Sequence, residues 1–446
     1  MFGKSKSKRK ITFPNVIKGA KNAWKIEDLR KKLLFTAAML LFYRIGCNLP
    51  VPYVDATMLE SLFSGESVLS YLNMVGGGAL ASCALFALGV GPYINASIIV
   101  QLLCVVIPSW ESMQKEGGQE GKDKLNRIQK VLAIFFSFTM SLGYYFILKK
   151  SEALKYTEGF EAFFSAVVII ALLITGSQLV VWLGEQIDIK GIGNGVSLLI
   201  FIGIVSDWAR IYSTFATINL YATVFGNKWW YAAYPLVVLF IIISVLFVIY
   251  VDAAERTIPI QYSAKGGARH RLASGSSHLP VRVMMTGVLP VIFANSICSV
   301  PATIAMFIDS KSKAYEYLSA FNSNSWLYCV ILAVLIIAFN YFYTAIQYDP
   351  LQISNDLRKN GGVISGIRPG QPTVEYLEGQ FKRVSRLGAI ALVFIALSPI
   401  VVGNLSNIPM QFGGTSLMIL VSVTLETEKS IESYMTSRYH KGFLDA

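Results

Sequence analysis

The sequence predicts an all-α polytopic membrane protein, with ten transmembrane helices in two inverted five-helix halves. Three observations predict it. The 446-residue chain is 54% hydrophobic and only 15% charged, whereas about a quarter of an ordinary globular domain is charged. Its lysines and arginines fall mostly on one side once apolar segments are laid across a bilayer. Two short apolar motifs recur at constant offsets in the two halves of the chain.

A helix needs about 20 mostly apolar residues to cross a bilayer. Ten stretches qualify: 33–49, 80–107, 131–148, 160–183, 196–218, 230–251, 283–308, 326–346, 387–402 and 409–425. With both termini inside, 31 of the 39 lysines and arginines lie on the inner side, as the positive-inside rule requires. The net charge of +12 is therefore chiefly topology, and the inner surface suits anionic lipid or an anionic partner. This divides the chain into a basic inner tail (1–32), a first half (33–218), a second half (219–425) with large inner loops at 252–282 and 347–386, and an inner C-terminal tail (426–446).

Gly89, Val90, Pro92, Ile94 and Ala96 recur with the same spacing as Gly287, Val288, Pro290, Ile292 and Ala294, 198 positions later. Gly195, Ser197, Leu198 and Ile200 recur as Gly414, Ser416, Leu417 and Ile419, 219 positions later. The first pair lies in spans two and seven, the second in spans five and ten. Five spans per half is an odd number, so the second copy enters the membrane upside down. Both echoes fall on the partners that such an inversion demands. Glycine- and proline-interrupted apolar segments at corresponding places in inverted halves point to a transport path between the halves.

In chain order, the tail 1–32 opens with Lys4, Lys6, Lys8, Arg9 and Lys10. No small-residue cleavage site follows the next apolar run, so the tail reads as a surface-lying helix and the run as a retained span. Arg44, near the outer end of span one, can snorkel toward water. The connection 50–78 has three acids and no base, and ends in a short apolar piece before Gly76-Gly77-Gly78. That piece is too short to cross a bilayer. It forms either a helix folded back into a cavity or an interfacial helix on the outer surface.

Loop 108–130 contains Glu116-Gly-Gly-Gln-Glu-Gly-Lys122, whose spacing and following residues do not make a phosphate loop. It reads as a solvated loop, and any energy source comes from outside the chain. The flanks of loop 252–282 alternate like short strands, predicting a β-hairpin with Arg256, Lys265, Arg269 and Arg271 near its tip. Loop 347–386 turns at Gly361-Gly362 and around Arg368, between Gly366 and Gly370. Both are longer than helix connections require and suit docking to RNA phosphates or an acidic protein face.

Catalysis has little support. His270, His278 and His440 lie in inner segments without a paired nucleophile, and the five cysteines lack CxxC spacing, so they read as apolar fillers. Carboxylates are scarce in the spans, with Glu161 at an edge, whereas an ion-coupled carrier keeps intramembrane carboxylates for its ion. If the repeats face each other, Ile94, Ile200, Ile292 and Ile419 come to equivalent depth. Branched apolar side chains converging there form a constriction that closes by dewetting. A small-solute secondary transporter with inverted repeats is the alternative reading, and a membrane scaffold a third.

GGGALASCALFALGVGPYINASIIVQLL (76–103), WLGEQIDIKGIGNGVSLLIF (182–201), ERTIPIQY (255–262), SHLPVRV (277–283), GVLPVIFANSI (287–297), GIRPG (366–370) and FGGTSLMI (412–419) together resemble the SecY family, channel subunits of the bacterial protein translocase. The resemblance covers nearly the whole chain. It implies a passive protein-conducting channel without a cofactor in the cytoplasmic membrane, a clam-shell with a central hourglass pore. Unfolded secretory chains would cross through the pore, and membrane segments would leave sideways into lipid.

It further implies a pore ring of Val90, Ile94, Val196, Ile200, Ile292 and Ile419. A lateral gate is implied between spans two and three on one side and seven and eight on the other; Gln101 and Asn295, polar residues on the two gate helices, are expected to hold the closed gate by hydrogen bonding. The plug is expected at Ser67, Val68, Leu69, Ser70, Tyr71, Leu72, Asn73, Met74 and Val75. Arg256 and Arg368 become contacts for the motor ATPase SecA or the ribosome, with SecE and SecG as small membrane partners. The sequence departs from the family at 265–276, which is rich in glycine and serine where the family is more basic, and at the valines of positions 90 and 196.

Overall fold

The computed structural model describes residues 26–55, 78–115, 117–156, 158–206, 233–262, 276–305, 325–406 and 414–439, with the isolated positions 24, 215 and 216. In the first half the helices are α1 (Glu27–Gly46), α2 (Gly91–Val106), α3 (Pro108–Lys115), α4 (Gly118–Lys150), α5 (Gly159–Lys190) and α6 (Gly195–Ser206). The second half has α7 (Ala233–Ala253), α8 (Leu289–Ala305), α9 (Trp326–Gln347), α10 (Pro350–Lys359), α11 (Gln371–Ser406) and α12 (Gly414–Tyr439). Every predicted span contains one of these helices, and only α3 and α10 are additional. Among the described residues five helices are long and apolar enough to cross a membrane singly. A sixth crossing needs α2 together with α3, which are bent by 109°.

The two halves are built alike. In the first, α2 packs on α4, α4 on α5, α5 on α6, and α1 on both α5 and α6. In the second, α8 packs on α9, α9 on α11, α11 on α12, and α7 on both α11 and α12. Each of these contacts in one half thus has its counterpart in the other. The halves meet where α2 touches α8 and where α6 touches α12, the two pairings that the repeats select, and also where Leu29 and Ile192 pack with Ile431 and Met435 of α12.

Glycine makes the same close approaches twice. A side chain at Gly195 would strike the carbonyl of Gly184 in α5, and one at Gly414 would strike the carbonyl of Ile395 in α11. Likewise Gly176 of α5 abuts the carbonyl of Leu85, and Gly388 of α11 that of Val283, each carbonyl lying shortly before α2 or α8. Without these glycines the irregular segments could not lie flat on their supporting helices.

Among the helices, two sequence expectations change. Spans two and seven do not begin as helices: residues 78–90 and 284–288 are mostly turns and bends, broken by left-handed backbone at Gly89 (φ 50°) and Gly287 (φ 62°). The helices start only beyond them, with Pro92 in the first turn of α2, where its missing N–H costs nothing. Loop 108–130 is α3 and the start of α4, not a solvated loop. The loop 347–386 contains α10, a strand and the first turns of α11. The tails are also helical at their membrane ends, since α1 starts at Glu27 and α12 runs to Tyr439. Such extensions can persist in water because ion pairs one turn apart support several of them: Lys31–Glu27 at 2.9 Å, Lys124–Glu120 at 2.9 Å and Lys382–Glu378 at 2.6 Å.

The predicted hairpin is present as β1 (Glu255–Tyr262) and β2 (Ser276–Arg282), antiparallel with Glu255 opposite Arg282 and Ile258 opposite Leu279. A third strand, β3 (Gly362–Ile364), pairs with Ile260–Tyr262, giving the order β2-β1-β3. Ile258, Ile260, Val281 and Ile364 are buried, and Ile258, Val281 and Ile364 pack with Leu377 and Phe381 of α11. The two long loops are therefore one folded module. Replacing Gly195 or Gly414 by valine should cost about 1–3 kcal/mol through overpacking. Gly379→Ala, where a Cβ meets nothing within 4 Å, should be neutral or slightly stabilising. Thermal midpoints of the purified variants check this.

Candidate functional site

The site is the seam between the halves, and four helix beginnings make it. Ile94 and Ile292 occupy the fourth positions of α2 and α8, while Ile200 and Ile419 occupy the sixth positions of α6 and α12. The first turns of α2 and α8 close alike, the amide of Ile94 donating to Val90 O at 3.0 Å and that of Ile292 to Val288 O at 3.2 Å. The start of α6 is capped from outside: Asp188 Oδ1 accepts the Gly195 amide at 2.6 Å, and Asn194 Oδ1 accepts that of Ser197 at 3.1 Å. These anchors leave the following apolar side chains free to turn toward the seam.

All six side chains expected in the ring belong to one apolar cluster. Val90, Ile200 and Ile419 are 2–4% exposed, and Ile94, Val196 and Ile292 are half-buried against them. Ile94 and Ile292 also pack against the core of the second half, so they bridge the two halves. Burying each such side chain is worth about 1.5–3 kcal/mol relative to leaving it in water. Val288 and Leu420 occupy the same bridging position. Val288 is the repeat partner of Val90, so the echo in the sequence carries the signal for its place here.

Gln101 and Asn295 stand on the two helices that face each other, α2 and α8. Gln101 donates to Ser97 Oγ of its own helix at 2.9 Å. Asn295 is buried, and its Oδ1 accepts from the Tyr328 hydroxyl of α9 at 3.4 Å. Its Nδ2 has no partner. These side-chain bonds stay within each residue's own half, so the expected hydrogen bonding of the gate through Gln101 and Asn295 is not what holds the two helices together.

Arg256 is the second residue of β1, opposite Val281 at the open end of the hairpin and not near its tip. It and Arg368 after β3 are both exposed, and the three-stranded sheet places their segments in one module. Lys265, Arg269, Arg271 and the plug segment Ser67 to Val75 lie outside the described residues. Near the same end of the helices Lys130 pairs with Glu185 at 2.6 Å, joining α4 to α5, and Lys429 pairs with Asp252 at 3.4 Å, joining α12 to α7. Burial, reinforced by the charge of Asp252, pushes the Glu426 carboxyl above its ordinary range, against the pull of Lys429. Among the described residues no group of three metal-ligating side chains occurs, and all five cysteines are buried thiols outside any disulfide.

Two helical halves built alike, rich in membrane-length apolar helices and meeting at one apolar seam, have the architecture of a membrane channel. The SecY family model matches residues 84–428. The protein translocase subunit SecY of Corynebacterium glutamicum is 37% identical over 446 residues, covering 95% of this chain and 98% of its own. That of Aquifex aeolicus is 35% identical with the same coverage. Among solved structures, one described as a protein-conducting channel aligns over 94% of this chain and 95% of its own, with a TM-score of 0.61 at 17% identity. The Sec61 chain of a canine ribosome-channel complex aligns over the same shares with a TM-score of 0.57, also at 17% identity. The chain belongs to the SecY family.

Replacing Ile94 and Ile292 together by asparagine puts two amides into the apolar cluster, at about 1–3 kcal/mol each. Resting ion conductance in planar bilayers should rise about tenfold or more. Conductance equal to the wild type would show that these residues do not seal the path.

Proposed function

We propose that this chain conducts unfolded secretory polypeptides across the bacterial cytoplasmic membrane and releases hydrophobic segments sideways into lipid. The observation that carries this reading is the joint placement of Val90, Ile94, Val196, Ile200, Ile292 and Ile419 in one apolar cluster at the seam. An unfolded chain is too polar for hydrocarbon, so it needs a wet path. An apolar waist admits the chain while holding back salt. A signal or membrane segment instead partitions into lipid between α2 and α8.

In this reading Gln101 and Asn295 set how readily that seam parts. Asn295 keeps one buried amide donor unpartnered at the gate, so Asn295→Leu should stabilise the closed seam and raise the hydrophobicity that a signal needs. Residues 67–75 serve as the plug; in one similar solved structure, the plug domain of the SecY protein is described as stabilising the closed state of the translocation channel. Both termini face the cytoplasm, where the sheet offers Arg256 and Arg368, with Lys265, Arg269 and Arg271, to the SecA motor or the ribosome. SecE-like and SecG-like subunits complete the assembly within a membrane containing anionic lipid. The chain performs no chemistry of its own, and the motor or the ribosome supplies the work.

The test is reconstitution with those small subunits, the motor ATPase and ATP. An unfolded secretory precursor should become protected from external protease. Counterflow of a labelled small solute by the chain alone, without precursor transport, would favour the transporter reading instead. Reversing one docking charge, Arg256→Glu or Arg368→Glu, should weaken motor or ribosome binding about tenfold or more, with less effect at high salt.

A further inference from the structure

Each of the two facing helices begins on an irregular turn, and in each half a buried polar network holds that turn in place. In the first half Ser177 of α5 donates to the carbonyl of Gly89 at 3.2 Å. Ser137 of α4 lies 3.3 Å from Ser177 Oγ and accepts from Gln178 Nε2 at 3.0 Å. In the second half Thr286 donates to Asn340 Oδ1 of α9 at 3.1 Å. Asn340 Nδ2 in turn donates to Ser385 of α11, at 3.0 Å to its carbonyl and 2.9 Å to its hydroxyl.

The two networks are counterparts under the pseudo-twofold. In one, α4 and α5 hold residue 89; in the other, α9 and α11 hold residue 286, next to the repeat partner Gly287. Each uses a serine on the counterpart helices α5 and α11, but the groups that hold the turns differ, Ser177 in one and Asn340 with Thr286 in the other, so the short sequence echoes do not reveal the match. Ser137, Ser177, Thr286, Asn340 and Ser385 are all buried, none more than 4% exposed. A polar group stripped of its partner in such surroundings is costly, so the networks resist separation. By contrast α2 and α8 meet each other chiefly through apolar side chains. The strong directional contacts at these turns run into each helix's own half and not across the seam.

We propose that Ser177 and Asn340 are positioning residues of the lateral gate, tying the base of α2 and of α8 to its own half. Each gate helix then moves with its half, and the seam parts as a unit when a hydrophobic segment enters. A broken tie lets one helix swing alone, so a less hydrophobic segment suffices. The second tie also continues into the sheet module. Met285, next to Thr286, packs in the cluster beneath the sheet, and Tyr348 donates to its carbonyl at 3.3 Å. The inference rests on the channel reading.

The test uses the complete translocase carrying Ser177→Ala, Thr286→Val, Asn340→Leu or Thr286→Val with Asn340→Leu. It measures the shortest leucine run with which a signal supports export, the resting conductance per channel and the thermal midpoint. Ser177→Ala, Thr286→Val and Asn340→Leu should each shorten the required run and raise resting conductance about three- to tenfold. The double variant should match Asn340→Leu alone, because both changes break one contact. Ser177→Thr, which keeps the hydroxyl, should restore the wild-type threshold.

A merely structural role lowers the thermal midpoint and leaves the threshold unmoved; that result overturns the inference. Should Asn340→Leu fail to assemble, the near-isosteric Thr286→Val and the first-half Ser177→Ala decide. Wild-type channels that export no precursor overturn the channel reading and this inference with it. Wild-type export with unmoved thresholds in the variants overturns the inference alone.

Discussion

The structure depends on one constraint: backbone that is not helical can lie at membrane depth only where protein surrounds it. Two stretches break that regularity, 78–90 and 284–288. Both are lined by side chains with almost no exposed surface, including Ala79, Ala84 and Phe86 in the first and Met284, Met285 and Thr286 in the second. The turns shorten α2 and α8, so both helices start close to the point where the halves meet. Ile94 and Ile292 sit at the seam for that reason.

Around this point the molecule is nearly the same structure twice. Glycine lets α5 and α11 lie against the carbonyls of Leu85 and Val283, and it lets α6 and α12 start hard against α5 and α11. Polar groups finish the work inside each half, while the contact across the seam remains chiefly apolar. Apart from Lys32 of α1, which donates to the Tyr434 hydroxyl of α12 at 2.6 Å, the contacts are directional within a half and chiefly greasy between halves, as in a body able to open along one line. Apolar contact has no required geometry and re-forms after it is broken. On the outside, Leu236, Ile242 and Leu246 of α7 are more than half exposed, as a surface facing lipid requires.

Much of this was legible in the sequence. Hydrophobic run length points to a helix in each of the ten expected stretches, and the paired echoes at 89–96 and 195–200 to the pairing of the two halves. The four isoleucines were selected by repeat position, the two valines through the family resemblance. What stayed illegible was local or nonlocal for physical reasons. The run 80–107 is apolar throughout, so composition alone could not place the helix start at Gly91. Loop 108–130 looks solvated because it is charged, yet charges spaced one turn apart support helix in water. The pairing of β3 with β1 joins residues about a hundred positions apart, and three residues carry no strand signal of their own. The ties at Ser177 and Asn340 use different side chains in the two halves, so similarity between the halves did not reveal them.

The most direct test of the central claim is a photo-crosslinking probe at Ile292, in membranes holding a secretory chain stalled midway. If the apolar cluster is the waist of the path, the probe crosslinks to the stalled chain, while a probe at the exposed Ile242 of α7 reaches lipid and does not. Absence of the adduct at Ile292, or equal yields at the two positions, would contradict it.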